Sequence, residues 1–243
     1  MGEKIWYKDW FNSPYYHILY KNRDEKEAGF FIDQLIQYLQ LNPEHKVWDL
    51  ACGKGRHSVY LNSKGIQVIG TDLAENSIEE ALKMANPKLE FFVHDMRTPF
   101  RINYFDFVLN LFTSIGYFDK PHDTYKVFQN VAHALKPNGC FVIDFFNGKK
   151  VSDCLIPHET KSIDGITFDI SKKIVDGKIV KRIEFNDKGK IYFFEEKVAL
   201  LNEENFTDMA SKSGLKLQAV FGDYHLNPFD VDKSERLILI FKK

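Results

Sequence analysis

Lys46-Val47-Trp48-Asp49-Leu50-Ala51-Cys52-Gly53-Lys54-Gly55-Arg56-His57, followed by Val68-Ile69-Gly70-Thr71-Asp72, is the stretch that decides the fold. It reads as a buried strand, a glycine turn, a helix and a second strand that ends on a carboxylate. Such a turn lets backbone approach a ligand, and a carboxylate roughly 20 residues further on accepts hydrogen bonds from ribose hydroxyls. The arrangement is a device for holding an adenosine. The dinucleotide fingerprint G-x-G-x-x-G is absent, because Ala51 and Ser58 stand at two of its positions. A pyrophosphate loop is therefore not expected, and Asp49 at the strand end would repel one. Its charge suits an ammonium group instead.

The alternation continues outward. Residues 24–41 carry Ala28, Phe31, Leu35, Ile36 and Leu39 at helical spacing, and Asn42-Pro43 stops that helix. Helices are predicted to about Lys64, over 75–85 and over 121–135, with strands at 46–51, 66–71, 89–93, 105–109 and 140–146. Lys136-Pro137-Asn138-Gly139 reads as a turn before the fifth strand. This order predicts an α/β fold: a doubly wound, mainly parallel seven-stranded sheet with ligands along the edge where strands end. Near residue 150 the pattern changes. Segments 163–175, 178–185 and 190–201 read as strands, with Asp176-Gly177 and Asp187-Lys188-Gly189 as hairpin signals. An antiparallel insert at 150–201 is expected within a domain made of 1–149 and 202–243. A helix over 203–213, capped by Asn202 and ended by Gly214, precedes strands near 217–221 and 236–241.

Composition narrows the function. Of 243 residues, 44% are hydrophobic and 15% aromatic, an excess that fills a core or walls a ligand pocket. The net charge of −1 shows no basic excess, so a nucleic-acid partner is not expected. The insert agrees: from Lys149 to Lys197, eleven Lys or Arg face nine Asp or Glu. Cys52, Cys140 and Cys154 are too few and too irregular for a disulfide framework or a zinc site, and no metal is expected. Met1-Gly2-Glu3-Lys4-Ile5-Trp6 lacks the apolar run of a leader, and no stretch reaches the length of a membrane span. A cytoplasmic protein without a membrane partner is expected. Trp6, Tyr7, Trp10, Phe11, Tyr15, Tyr16 and Tyr20 make the first twenty residues too aromatic for a free tail, so they should dock on the main body.

The motifs resemble those of class I S-adenosylmethionine-dependent methyltransferases. Asp49-x-Ala51-Cys52-Gly53-x-Gly55 looks like the first motif of that family, with Ala51 at its usual first glycine. Asp72, with Leu73 beside it, matches the ribose-binding acid, although it could also cap the helix that follows. His94-Asp95-Met96 matches the segment where an acidic side chain meets the adenine amino group and the next residue lines the ring. Asn110-Leu111-Phe112 matches the segment beside the methionine part, and Leu135 to Cys140 looks like the loop into the fifth strand. The resemblance implies a Rossmann-like fold, S-adenosyl-L-methionine as cofactor, and methyl transfer to an N or O nucleophile of a small-molecule substrate. It implies cofactor contacts at Asp49, Ala51, Cys52, Gly53, Gly55, Arg56, Asp72, Leu73, Asp95, Met96, Asn110, Leu111, Tyr16 and Tyr20. Trp10, Tyr15, Ser114 and Tyr117 are the acceptor-side candidates, since aromatic faces attract a sulfonium. The insert is similar to the strand-built lid of bacterial small-molecule methyltransferases, and serves as a lid, a homodimer surface or both. His57, His122 and Asp144 fall near the ligand edge, but none has a sequence partner that marks a base, and no base is assigned. The rival readings are a non-catalytic cofactor-binding or interaction protein, an RNA methyltransferase, and an NAD-dependent oxidoreductase, which would need the missing phosphate loop.

Overall fold

The structure is a computed structural model, and it describes residues 6–21 and 25–243. Met1 to Ile5, part of the leader reading, lie outside the described residues. Three helices come first: α1 (Trp6–Phe11), α2 (Pro14–Leu19) and α3 (Glu25–Leu39). The expected alternation follows as β1 (Lys46–Leu50), α4 (Arg56–Ser63), β2 (Gln67–Asp72), α5 (Glu75–Leu82), β3 (Leu89–Val93), β4 (Phe105–Asn110), α6 (Pro121–Ala134) and β5 (Leu135–Phe146). A short helix, α7 (Gly148–Asp153), leads to β6 (His158–Ile163), β7 (Ile166–Val175), β8 (Lys178–Asp187) and β9 (Lys190–Ala199). The chain closes with α8 (Glu203–Lys212), β10 (Lys216–Phe221) and β11 (Arg236–Lys242).

The main sheet runs β10-β11-β5-β4-β1-β2-β3, and only β11 is antiparallel to its neighbours. Strand order reverses between β1 and β4, which opens a crevice at their carboxyl ends. Alternate residues of β1 serve two cores. Val47 packs with Phe31 and Leu35 of α3, Leu61 of α4 and Ile78 of α5. Trp48 and Leu50 pack with Val127 and Phe128 of α6 and Phe206 of α8. Burial on both faces is why the strands read as continuous apolar runs. The expected turn at 136–139 lies inside the span of β5. Pairing passes from Phe105↔Leu135 to Phe107↔Cys140, so the intervening residues bulge out, with Asn138 at φ 66°. Asn202 and Asn205 form a reciprocal capping box that starts α8.

The second sheet is an antiparallel meander, β6-β7-β8-β9. Its first hairpin corrects the expected single strand over 163–175. Asp164-Gly165 turns at φ 52° and 79°, as Asp176-Gly177 does at 50° and 69°, and paired positive φ suits a tight two-residue hairpin. A third core forms where Trp10 and Leu19 meet Phe168, Ile170, Ile183 and Phe185. The aromatic terminus therefore docks, as expected, on the main body, where Trp6 and Phe11 meet Tyr117 and Tyr7 meets Phe118, and it also packs on one face of the second sheet. Among the described residues no helix is long and apolar enough to cross a membrane.

Candidate functional site

The turn after β1 is built from left-handed backbone: Ala51, Gly53 and Gly55 have φ 64°, 56° and 80°. It brings the Gly53 N–H to Asp72 Oδ2 at 2.8 Å, while the Ala74 N–H donates to Asp72 Oδ1 at 2.8 Å. Asp72 thus ties the glycine turn to the segment that leads into α5, whose N-cap is Ala74. Burial raises its pKa, and the N–H groups of Ala74, Gly53 and Leu73 oppose that rise. Each carboxylate oxygen keeps a lone pair for a further donor.

Above these strand ends lies a cavity of about 430 Å³. The strand ends supply Ala51, Cys52, Gly53, Arg56, Asp72 and Leu73. His94, Asp95 and Met96 come from the loop after β3, and Leu111, Phe112, Ser114 and Tyr117 from the loop after β4. The N-terminal helices add Tyr7, Phe11, Tyr16, His17 and Tyr20. Sequence reasoning singled out Tyr16 and Tyr20 but not Tyr7 and Phe11. The signal was present: each pair is spaced i, i+4, which places both members on one helix face.

Five expected site residues do not line this cavity. Asp49 is 1% exposed beneath the turn, where its Oδ2 accepts from Ser58 Oγ at 2.5 Å. Burial raises its pKa to about 6, opposed by Ser58 and reinforced by Asp72. Gly55 sits against Phe91, whose ring a Cβ would meet at 2.6 Å. Asn110 is sealed within the sheet, and its Nδ2 donates to the Leu50 carbonyl at 2.8 Å, tying β4 to β1. Trp10 faces away and donates to Glu196 Oε1 at 2.6 Å. Tyr15 donates to Asp187 at 2.8 Å and packs on Phe185 and Tyr192. The cause is shared for the last two: α1 and α2 turn one face to the cavity and the other to the second sheet.

Asp95 does line the cavity, with a partner the sequence did not announce. The Arg97 guanidinium forks both of its oxygens, at 2.6 to 3.1 Å. Burial works against its charge, but Arg97 outweighs burial and holds the carboxyl below the usual range. Asp144, weighed as a base, is 1% exposed and anchors the loop after β4 instead. It accepts from the Phe112 N–H at 2.9 Å and from Arg236 Nε at 2.7 Å. This network holds Phe112 and Thr113 at φ 64° and 60°, a backbone strain of about 1–3 kcal/mol each. Tyr117 donates to the Thr113 carbonyl at 2.6 Å and completes the loop. His122 is exposed at the start of α6, whereas His57 lies on the cavity wall.

Residues 47–139 match the family model described as a methyltransferase domain. Over 137 residues, 54% of the chain, there is 32% identity with YqeM of Bacillus subtilis (strain 168), named as a methyltransferase. That alignment covers 55% of YqeM, so the chain spans about half the length of this curated relative. An S-adenosylmethionine-dependent methyltransferase from Clostridium acetobutylicum ATCC 824 superposes with a TM-score of 0.78 at 20% identity, covering 94% of this chain and 95% of that one. The S-adenosylmethionine-bound CalS10 from Micromonospora echinaspora, described as an amino pentose methyltransferase, superposes with a TM-score of 0.69 at 18% identity, covering 95% and 97%. The wall fits that cofactor: a pinned carboxylate for a ribose, open space over Gly53 where a Cβ would meet nothing within 4 Å, and aromatic faces around the rest. Residues 47–139 match a methyltransferase domain, and the sheet order agrees with the fold of the S-adenosylmethionine-dependent methyltransferases to which the chain is similar.

Proposed function

We propose that this chain transfers the methyl group of S-adenosylmethionine to an amine or hydroxyl of a small molecule. The observation that carries the reading is Asp72, pinned by the Gly53 and Ala74 N–H groups at the end of β2 and facing the 430 Å³ cavity. In this reading Asp72 accepts from the ribose hydroxyls, Leu73 and Met96 pack on the adenine, and Asp95, kept ionised by Arg97, accepts from its amino group. When bound, S-adenosylmethionine supplies a methyl group on a cationic sulfur, open to attack by a lone pair. The chain's own part is placement and exclusion of water. Tyr16, Tyr20, Phe112 and Tyr117 offer aromatic faces to the positive charge, worth about 0.5–2 kcal/mol. The N-terminal helices and residues 150–201 act as a lid over the strand ends. The likeness to CalS10 spans nearly the whole chain and supports a small-molecule acceptor, as does a net charge of −1.

Titration calorimetry tests the reading. S-adenosylmethionine and S-adenosylhomocysteine should each bind at one site, and Asp72→Ala should weaken both at least about tenfold, the scale of hydrogen bonds to a charged group. No heat at millimolar ligand removes the proposal. Label transfer from methyl-labelled cofactor to a panel of amines and alcohols then tests the reaction.

A further inference from the structure

The inner face of the second sheet is largely apolar in the middle of β7, β8 and β9, with Glu159 and Lys161 of β6 and the Asp187–Lys190 pair at its margins. Across β7, β8 and β9, Phe168–Phe185–Tyr192 form one row, Ile170–Ile183–Phe194 the next, and Ile174–Ile179–Val198 the last. Between them runs Lys172–Lys181–Glu196. The Lys181 and Glu196 side chains are each 13% exposed and Lys172 is 23% exposed. Two lysines directly opposite in a sheet repel, and burying an ammonium is costly. Packing alone does not select such a row.

The row borders a second, more open cavity of about 520 Å³, lined by the second sheet, α7 and the start of β11. Phe112 and Tyr117 line both this cavity and the cofactor cavity, so the strained loop after β4 borders both. The cations that line it are paired, but not equally well. Lys150 and Arg236 each have a carboxylate of their own, Glu235 at 2.5 Å and Asp144 at 2.7 Å. Lys161, Lys172 and Lys181 share two: Glu159 lies 3.3 Å from Lys161 and 2.6 Å from Lys172, and Glu196 lies 3.5 Å from Lys181. Glu196 also accepts from Trp10 and Tyr20. Lys161 is half exposed and lies outside the cavity lining, so the lining lysines Lys172 and Lys181 each have one carboxylate, and each of those carboxylates is shared with other donors.

We propose that the second cavity receives the methyl acceptor, and that this acceptor carries an acidic group, a carboxylate or a phosphate, bound by Lys172 and Lys181. The inference rests on the methyl-transfer reading and specifies its substrate class. An anion there gives Lys172 and Lys181 a partner that Glu159 and Glu196, each shared with other donors, supply only in part. It also relieves Lys181, whose pKa burial pushes down, with Lys172 and Lys161 adding to the effect against the pull of Glu196. Phe146, Val151 and Val198 give the remainder of the acceptor an apolar wall, and its nucleophile reaches the cofactor side past Phe112 and Tyr117.

The test is calorimetry on the protein saturated with S-adenosylhomocysteine. The probes are ω-amino acids and aminoalkyl phosphates of two to six carbons, with alkylamines and amino alcohols of matching length as acid-free controls. Acid-bearing probes should bind and the controls should not, and the better of the two acid series identifies the group. Lys172→Gln should weaken that binding at least about tenfold, while Lys181→Arg, which keeps the charge beside Glu196, should retain it. Both variants should bind S-adenosylhomocysteine as the parent does, which shows that they are folded. Equal binding of the acid-free controls, no binding of any acid, or indifference to Lys172→Gln overturns the proposal while the cofactor reading stands. Failure to bind S-adenosylhomocysteine at all removes the methyl-transfer reading, and this inference with it.

Discussion

Gly53 and Gly70 flank the cofactor turn and answer to different constraints. A Cβ on Gly70 would lie 2.6 Å from Phe91 Cδ1 and 2.9 Å from Cys52 Sγ. Gly70→Ala should therefore act on folding, with a loss of about 1–3 kcal/mol in denaturant titration. A Cβ on Gly53 would point into open space, although φ there is 56°. Gly53→Ala should lose only the strain of a left-handed residue, about 1–2 kcal/mol, while S-adenosylhomocysteine affinity falls at least about tenfold. An unchanged affinity would mean that Gly53 does not face the cofactor. Asp49 makes a prediction in pH. Its carboxyl is raised from 3.8 to about 6, chiefly by burial. A folded-state pKa above the unfolded one stabilises fully below pH 3.8, and that contribution disappears as pH rises through about 6, a loss on the order of 3 kcal/mol. Asn at this position does not ionise. The melting temperature of Asp49→Asn relative to the parent should accordingly rise between pH 4 and pH 7, and a flat difference would rule out titration of Asp49 in that window. Residue positions were legible where spacing determines them, as with Asp72 on the cavity wall. They were not where a neighbour intervenes: nothing near Asn110 in sequence reveals that its amide is spent on Leu50.

At the scale of elements, the N-terminal helices and the second sheet are joined through Glu196. It accepts from Trp10 Nε1 at 2.6 Å and from the Tyr20 hydroxyl at 2.8 Å, and it faces Lys181. Glu196→Ala strands the Trp10 and Tyr20 donors and removes the counter-charge from Lys181, which keeps the Tyr20 hydroxyl as an acceptor, at a cost of about 3 kcal/mol. Hydrogen exchange should quicken in α1, α2 and β9 while β1, β4 and β5 keep their protection; a uniform change would show that Glu196 supports the whole fold instead. The central elements of the main sheet were readable because their strands are buried on both faces and their helices carry an apolar stripe, as β1 and α6 do. Elements without that signature escaped. Helices α1 and α2 have only six residues each, too short for periodicity to declare itself, and α7 is equally short. The join between β6 and β7 was missed because His158–Ile163 has one face in solvent and no apolar run, although Asp164-Gly165 carries the same hairpin signal as Asp176-Gly177.

At the scale of the whole molecule, three hydrophobic cores divide the labour. Two flank the main sheet, and the third lies between the second sheet and the N-terminal helices. The cofactor cavity is bounded on one side by strand ends from the first body and on the other by Tyr16, Tyr20 and their neighbours from the second. A ligand in that cavity touches both bodies, so its binding energy stabilises their junction as well as the site itself. Main-sheet strands such as β4 and β5 are already buried on both faces and have little protection to gain. The second sheet rests on a smaller core and a few hydrogen bonds, and regions of that kind open first. Saturation with S-adenosylhomocysteine should therefore slow hydrogen exchange most in α1, α2 and β7 to β9, and least in β4 and β5. If protection instead rises only around residues 51–56 and Asp72, the cofactor is held by the main sheet alone, and the second sheet is no lid.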